Sequence, residues 1–527
     1  MTIRLAAKLE GGSDGGMRTR LAPCLLAAAL LATAPGAHAE TPPANVTAAQ
    51  DHQQMMDQLG VRALRPGVNS DAKAKERPAN YDEAKANPWP NYPDPLAYAD
   101  GNKVTTAQEW WSKRRPQLVE IFEREIYGRL PKTAPKVTWT VQTVDHERMS
   151  FTPIVATRLV GHVDNSNDPA ITEDIPMMVI KPERHKGPMP ALVMFHLGEL
   201  TFPAPAPPSP DELARINAAM KTEMAARDPS LDAVFKAHPA WQPITPAPFT
   251  APALDVEGGQ PALNQLIADG WTVVMIEPNT IQADGGAGLT KGVIGISNAG
   301  QFRKPDDWGV LRAWAWGASR ALDYLQTDPD IDAKHVGIEG VSRYGKAALV
   351  TMAFDQRFAM GLIASSGESG TKPHRRVFGE QVENQAATDA YHWMAGNFLK
   401  YAAADARDGP KTAGDIPIDA GELIALAAPR MIFVSYGSPA GGDPGWVDAH
   451  GGFMATVQAG EVWRLLGEKD LGVGDDYLHA PMPPADQGLV GGKLAWRQHI
   501  GGHTDQPNFR AFIAWADQQM GRESRAN

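Results

Sequence analysis

The sequence predicts an α/β fold: a three-layer αβα sandwich on a mostly parallel central sheet, with one long insertion. Three observations carry this. Short apolar runs at 191–195, 271–276, 336–338, 360–364 and 431–436 alternate with helical patterns, as a parallel sheet covered on both faces requires. The apolar run before Gly340-Val341-Ser342 passes at once into a helix-forming run. A Pro- and Ala-rich stretch, 202–253, separates the first two of these strands, and a connection of that length is seldom a plain loop.

The first segment reads as a leader. Arg18 and Arg20 precede an apolar run, 21–34, that closes on Ala37-His38-Ala39, which supplies the three parts of a secretory signal. Residues 1–39 are therefore expected to be a signal peptide, initiated at Met17 and cleaved after Ala39, that delivers a secreted or periplasmic protein. The one cysteine, Cys24, falls inside this leader. A mature chain without it has no thiol, which excludes disulfides, Cys-zinc sites and a cysteine nucleophile.

Composition narrows the class further. A hydrophobic fraction of 43% in 527 residues is enough for a large core. The formal net charge of -11, with no run of Lys and Arg, offers no footprint for nucleic acid or an anionic membrane. No later stretch approaches the roughly 20 apolar residues that a membrane span needs. The expectation is a monomer without nucleic-acid or membrane partners, metal or cofactor.

Residues 40–105 are polar and rich in Pro and Asn, which predicts an extended lead-in. The catalytic domain is expected over 106–520. It opens with a helix at 106–127, where Trp110, Leu118, Ile121, Phe122 and Ile126 fall near a 3.6 period. Alternating strands follow at 137–144 and 156–163, then the parallel strands, with a polar helix at 211–227 in an insertion placed over or beside the active-site rim. A last strand at 494–500 leads into a helix that carries Phe509, Phe512, Ile513 and Trp515.

The chemistry centres on Gly340-Val341-Ser342-Arg343-Tyr344-Gly345-Lys346. Strand, Gly-x-Ser and helix in this order are the context of an α/β-hydrolase nucleophile elbow, where a tight turn presents the serine oxygen at the carboxyl edge of the sheet. Gly-x-Ser alone is weak, because a serine capping a helix looks the same. The usual second glycine is also displaced, with Tyr344 in its place. Chain order strengthens the reading, since the acid and the histidine of this fold follow the serine at the ends of later strands. Asp443 stands after the 431–436 strand and His503 after the last one, so Ser342, Asp443 and His503 form the expected catalytic triad. His499 is read as a structural residue inside the last strand. Arg343 offers permanent charge and fixed donors to an oxyanion, and two cations in the first turn of a helix are electrostatically unfavourable unless used.

Gly340 to Lys346 resembles the Gly-Cys-Ser-Arg-x-Gly-Lys signature of the glucuronoyl esterases of carbohydrate esterase family 15, which accounts for the displaced glycine. The likeness extends through Asn80-Tyr81-Asp82-Glu83, Trp308-Gly309, Trp314-Ala315-Trp316-Gly317, Arg375-Arg376, Phe378-Gly379-Glu380, His392-Trp393, Asn397-Phe398 and Gly502-His503, most of the chain after the leader. It fits the bacterial branch better than the fungal one. The resemblance implies a serine esterase that cleaves esters of 4-O-methyl-glucuronic acid on xylan with lignin alcohols. It implies that Arg343 helps hold the oxyanion, that Lys346 binds ring hydroxyls, and that Glu380 and Trp446 line the sugar pocket. Val341 replaces the signature cysteine. Some relatives take the acid from a Glu after the strand that follows the elbow, where this chain has Ser365. That leaves Asp443 as the expected acid, Glu368 as the alternative and Asp448 third. Two rival functions share these features: an acetyl-xylan or general carboxylesterase, and a catalytically weak carbohydrate-binding relative.

Overall fold

The computed structural model describes residues 45–132, 134–195, 209–244 and 262–523. The expected leader and its cleavage site lie outside these residues. Strands are numbered in chain order and helices are named by their bounds. The strands are β1 Val61–Leu64, β2 Val137–Met149, β3 Thr152–Val163, β4 Asp174–Pro182, β5 Met189–Phe195, β6 Thr272–Ile276, β7 Ile331–Val341, β8 Met360–Ala364, β9 Ala403–Ala406, β10 Met431–Tyr436, β11 Gly488–Leu489 and β12 Leu494–Gln498.

Ten strands form one mixed sheet in the order β11-β12-β10-β8-β7-β5-β6-β4-β3-β2. The six central strands, β12, β10, β8, β7, β5 and β6, run parallel. The antiparallel ladder β2-β3-β4 joins β6 at one side. The parallel strands carry apolar residues on both faces because helices cover both. On one face lie Val310–Leu325, Arg343–Phe354 and Ala449–Leu465, with Trp314, Trp316 and Trp463 buried. Ala262–Ala268 and Phe509–Met520 cover Leu192, Val273, Leu362 and Phe433 on the other. The expected three-layer αβα sandwich with a mostly parallel central sheet is the observed architecture.

Several local expectations need correction. The lead-in is not extended throughout: Ala48–Leu59 is a helix, started by a Thr47/Gln50 capping box and ended by Gly60 in the left-handed region. It docks through buried Met55 and Met56, with Tyr391 Oη donating to Asp51 Oδ2 at 2.7 Å. Its buried face carries Asp51 and His52 beside the methionines, which weakens the apolar period that would have marked it. β4 was not anticipated either; prolines at 176 and 182 mask the Met177–Ile180 core that pairs with β6. The expected helix at 106–127 spans Ala107–Tyr127 as one run with π-helical turns at Trp110–Arg114 and Glu123–Tyr127. The insertion holds Pro210–Arg227 and a second helix, Ser230–Ala237. Asn217 of the first exchanges two hydrogen bonds with the Ile244 backbone after the second, and Lys221 lies over the stacked Phe235 and Trp241 rings. Residues 196–208 and 245–261, which lead in and out, are outside the described set.

Buried ion pairs fix the loops at the carboxyl edge of the sheet. Arg376, fully buried, donates at 2.6 Å both to Asp448 and to Glu83 of the lead-in. Asp448 also caps the helix Ala449–Leu465 through Gly451 N at 2.9 Å. Removing one partner of a buried pair strands the other charge. Arg376→Met is therefore expected to cost about 3–5 kcal/mol, read as a lowered urea midpoint with an unchanged slope.

Candidate active site

β7 ends at Val341, and Ser342 follows at φ 60°, ψ -125°, outside the regions a side chain normally prefers. The next residue begins the helix Arg343–Phe354, and the Ser342 side chain makes no capping bond to it. The serine is thus not the helix cap that a bare Gly-x-Ser allows. Two glycines make the turn possible. A Cβ on Gly340 would lie 2.3 Å from Tyr344 O, and one on Gly345 would lie 2.6 Å from Ala364 O. Position 345 carries the second glycine because that is where the helix presses on β8, while Tyr344 packs on Trp314 and Phe195.

The other candidates arrive from neighbouring strands. Asp443 follows β10 and His503 follows β12, two adjacent parallel strands. His503 Nδ1 lies 2.6 Å from Asp443 Oδ1, so Nδ1 donates to the carboxylate. The other oxygen of Asp443 accepts from Gly437 N at 2.8 Å and Ser365 Oγ at 2.7 Å. The loops can touch because position 437 has no side chain: a Cβ there would stand 2.1 Å from Gly502 O. Ser342, Arg343, Trp446 and His503 share one cleft of about 760 Å³ with Phe195, Asn279, Asp284, Glu339 and Asp505.

Glu368 is not brought to the histidine. It is fully buried and bonds Lys372 Nζ at 2.5 Å and His374 Nδ1 at 2.6 Å. Burial raises its pKa, but these two neighbours outweigh it and hold the carboxyl below the usual range. Asp448 is engaged with Arg376. The position of Glu368 as alternative acid, and of Asp448 as third, therefore has no geometric support. Ser365, which stands at the family's other acid position, instead donates to Asp443.

His499 is the first residue after β12 rather than inside it. Its Nε2 lies 2.7 Å from Thr504 O, which assigns the proton to Nε2 and ties down the turn that holds His503. Burial lowers its pKa and keeps it neutral.

Arg343 Nη1 lies 2.5 Å from Asp284 Oδ2, and its guanidinium sits 5.3 Å from the Trp393 ring centre. Asp284 also accepts from Trp393 Nε1 at 2.6 Å and pairs with His392 Nε2 at 2.9 Å. Burial acts to raise its pKa, yet these bonds hold it well below the ordinary carboxylate range. Lys346 is buried, donates to Ser366 O at 2.6 Å and lies 5.6 Å from the same Trp393 ring. Glu380 accepts from Gln385 through one oxygen, while its other oxygen is buried without a partner. Burial pulls Lys346 down and Glu380 up, and each partly offsets the shift of the other. The Trp446 ring is 6.4 Å from that of His503.

Asp284 has no role in the sequence reading, although a carboxylate in Asp284-Gly285-Gly286 soon after β6 was a usable signal. Trp393 was noticed only as part of a likeness, and the Glu339–Asp505 pair was missed altogether. Among the described residues no group of three or more His, Cys, Asp or Glu side chains is placed to hold a metal ion.

A serine elbow on a parallel sheet, with a histidine and a carboxylate delivered by two later strand ends, is the architecture of an α/β-hydrolase acting on carboxylic esters. The comparisons with known proteins agree. A family model described as glucuronyl esterase, fungi, matches residues 298–467. A family 15 glucuronoyl esterase from Teredinibacter turnerae T7901 is 37% identical with a TM-score of 0.72, covering 90% of this chain and 100% of the other. The carbohydrate esterase MZ0003 from an unknown prokaryotic organism is 28% identical over 85% of this chain and 94% of its own. A 4-O-methyl-glucuronoyl methylesterase from Hypocrea jecorina is 30% identical over 31% of this chain, about a third of that protein's length. The chain belongs to the glucuronoyl esterases of carbohydrate esterase family 15, and it is a carboxylic-ester hydrolase.

The elbow gives a direct test of this geometry. Gly340→Ala puts a methyl group against backbone that cannot yield without moving the turn. It is expected to cost about 1–3 kcal/mol, the usual range for overpacking, measured by chemical denaturation.

Proposed function

We propose that this protein hydrolyses esters between the carboxyl group of (4-O-methyl-)glucuronic acid on xylan and lignin alcohols, with Ser342 as nucleophile. The observation that carries it is the 2.6 Å contact of His503 Nδ1 with Asp443, in the cleft that also holds Ser342. The glucuronoyl esterase activity of its relatives supports the substrate class.

In this reading Ser342 Oγ attacks the ester carbonyl carbon and passes its proton to His503 Nε2. The backbone N–H after the nucleophile contributes to the oxyanion hole in this fold. Here that is Arg343, the first residue of a helix whose opening N–H groups have no intrahelical partner, and its guanidinium adds fixed positive charge. The protonated histidine then hands its proton to the departing alcohol as the C–O bond breaks, leaving a glucuronoyl ester on Ser342. Water, deprotonated by the same histidine, attacks that ester and releases glucuronic acid and the free serine. Asp443 holds the Nδ1–H tautomer and stabilises the imidazolium. Lys346, Glu380 and Trp446 are assigned to the sugar: Trp446 as a wall of the cleft, and Lys346 and Glu380 as partners for ring hydroxyls.

No helix among the described residues is long and apolar enough to cross a membrane. Export through a leader cleaved after Ala39 remains part of the proposal, checked by the N-terminal mass of the protein recovered outside the cytoplasm.

Purified protein is expected to release acid from benzyl glucuronate much faster than from acetylated xylan. A preference for acetyl esters would overturn the substrate assignment. Ser342→Ala should abolish turnover of folded protein, and Asp443→Asn should cost on the order of 10⁴ in kcat, against a far smaller change in kcat for Glu368→Gln. Arg343→Ala should lower kcat by about 10²- to 10³-fold, the usual loss for one oxyanion donor; a change confined to KM would make Arg343 a substrate-positioning residue instead.

A further inference from the structure

Glu339 and Asp505 face each other in the wall of the cleft. Glu339 lies three residues before Ser342 on β7, and Asp505 lies two residues after His503. Both are buried, both line the same cleft, and they lie close enough to share a hydrogen bond. Two carboxylates cannot bond one another, so this contact requires a proton between them.

The sheet order gives the contact its meaning. Along the carboxyl edge β12 and β7 are separated by β10 and β8. The loop after β12 must therefore cross two strand ends to bring His503 to Ser342. His503–Asp443 and His499–Thr504 O hold this loop only to its own strand and to β10. Among the described residues, the Glu339–Asp505 contact links this loop to the elbow strand itself.

The surroundings keep the shared proton in place. In the sheet, Glu339 is flanked by Met194 of β5 and Leu362 of β8, both apolar. The titratable groups on the same cleft wall are His503, Arg343, Tyr344 and Asp284. His503 is committed to Asp443, and Arg343 to Asp284. Burial raises the pKa of Tyr344 to about 12, so it brings no charge at neutral pH. Asp505 Oδ2 is buried and accepts from no N–H or hydroxyl group. Burial and the mutual repulsion of two negative charges both push Glu339 well above the ordinary carboxylate range. Burial also raises Asp505, while the bond from Glu339 acts to lower it.

We infer that Glu339 and Asp505 are positioning residues: one shared proton latches the histidine loop to the nucleophile strand, and loss of that proton as pH rises releases His503 from Ser342. The sign follows from the charges. Below the second ionisation of the pair, one carboxyl donates and the other accepts. Above it, two buried negative charges repel and the latch opens. The folded protein binds a proton here that the unfolded chain gives up above the ordinary carboxylate range, so this link also loses stability as pH rises through the folded value.

The inference rests on Ser342 and His503 acting as proposed. Its test therefore uses a probe that any activated serine attacks, independent of the glucuronoyl substrate. The rate of Ser342 labelling by a fluorophosphonate is followed from pH 5 to about 10 in wild type, Glu339→Gln, Asp505→Asn and Glu339→Leu. Wild type should show a limb that falls as pH rises and that both amide variants lack, because a neutral amide keeps the hydrogen bond and removes the repulsion. Glu339→Gln should stay within about threefold of wild type at pH 7, while Glu339→Leu, which has no bond to make, should drop by about tenfold or more. Thermal melting across the same pH range should show Glu339→Gln gaining on wild type as pH rises. Coincident pH profiles of wild type and both amide variants would overturn the inference while leaving the reading of Ser342 standing. No labelling of wild type at any pH would overturn that reading and this inference with it.

Discussion

The contact between His503 and Asp443 joins loops that leave the sheet from adjacent parallel strands, and the shape of this edge of the molecule follows from making it possible. A carboxylate taken out of water needs its lone pairs filled. Asp443 achieves this with the imidazole, the Gly437 amide and the Ser365 hydroxyl. Each donor comes from a different strand end: β12, β10 and β8. Asp443 is thus held by two neighbouring strand ends as well as by its own loop.

A second carboxylate does the corresponding work for the cation. Arg343 opens a helix, where positive charge is unfavourable against the dipole, and Asp284 offsets this while also engaging His392 and Trp393. Three segments distant in sequence thereby fix one guanidinium over one indole. In the proposed mechanism that fixed charge would meet an oxyanion without having to reorient.

Behind these groups lies a layer of buried ions whose role is placement. Arg376 ties the lead-in and the Asp448 turn to the loop after β8, and Lys372, Glu368 and His374 lock that loop internally. Glu368 is instructive: it stands close to the family's other acid position at Ser365, but its charge is consumed by Lys372 and His374. Buried ionic groups and titrating groups have similar sequences and differ in what they face.

Much was legible in the chain itself. The parallel strands are apolar on both faces, the elbow needs glycine at 340 and 345, and Ser342, Asp443 and His503 stand at successive strand ends, so local composition and order determined the fold class and pointed to these three residues. The Ala48–Leu59 helix and β4 escaped because polar residues on a docking face and flanking prolines blur the period. What only the tertiary structure decided is which buried groups meet: Ser365 with Asp443, Asp284 with Arg343, Glu368 with Lys372 and His374, Glu339 with Asp505. Periodicity along a chain reports which residues leave water. The partner a buried charge finds depends on strand order and register, which bring together residues with no relation in sequence.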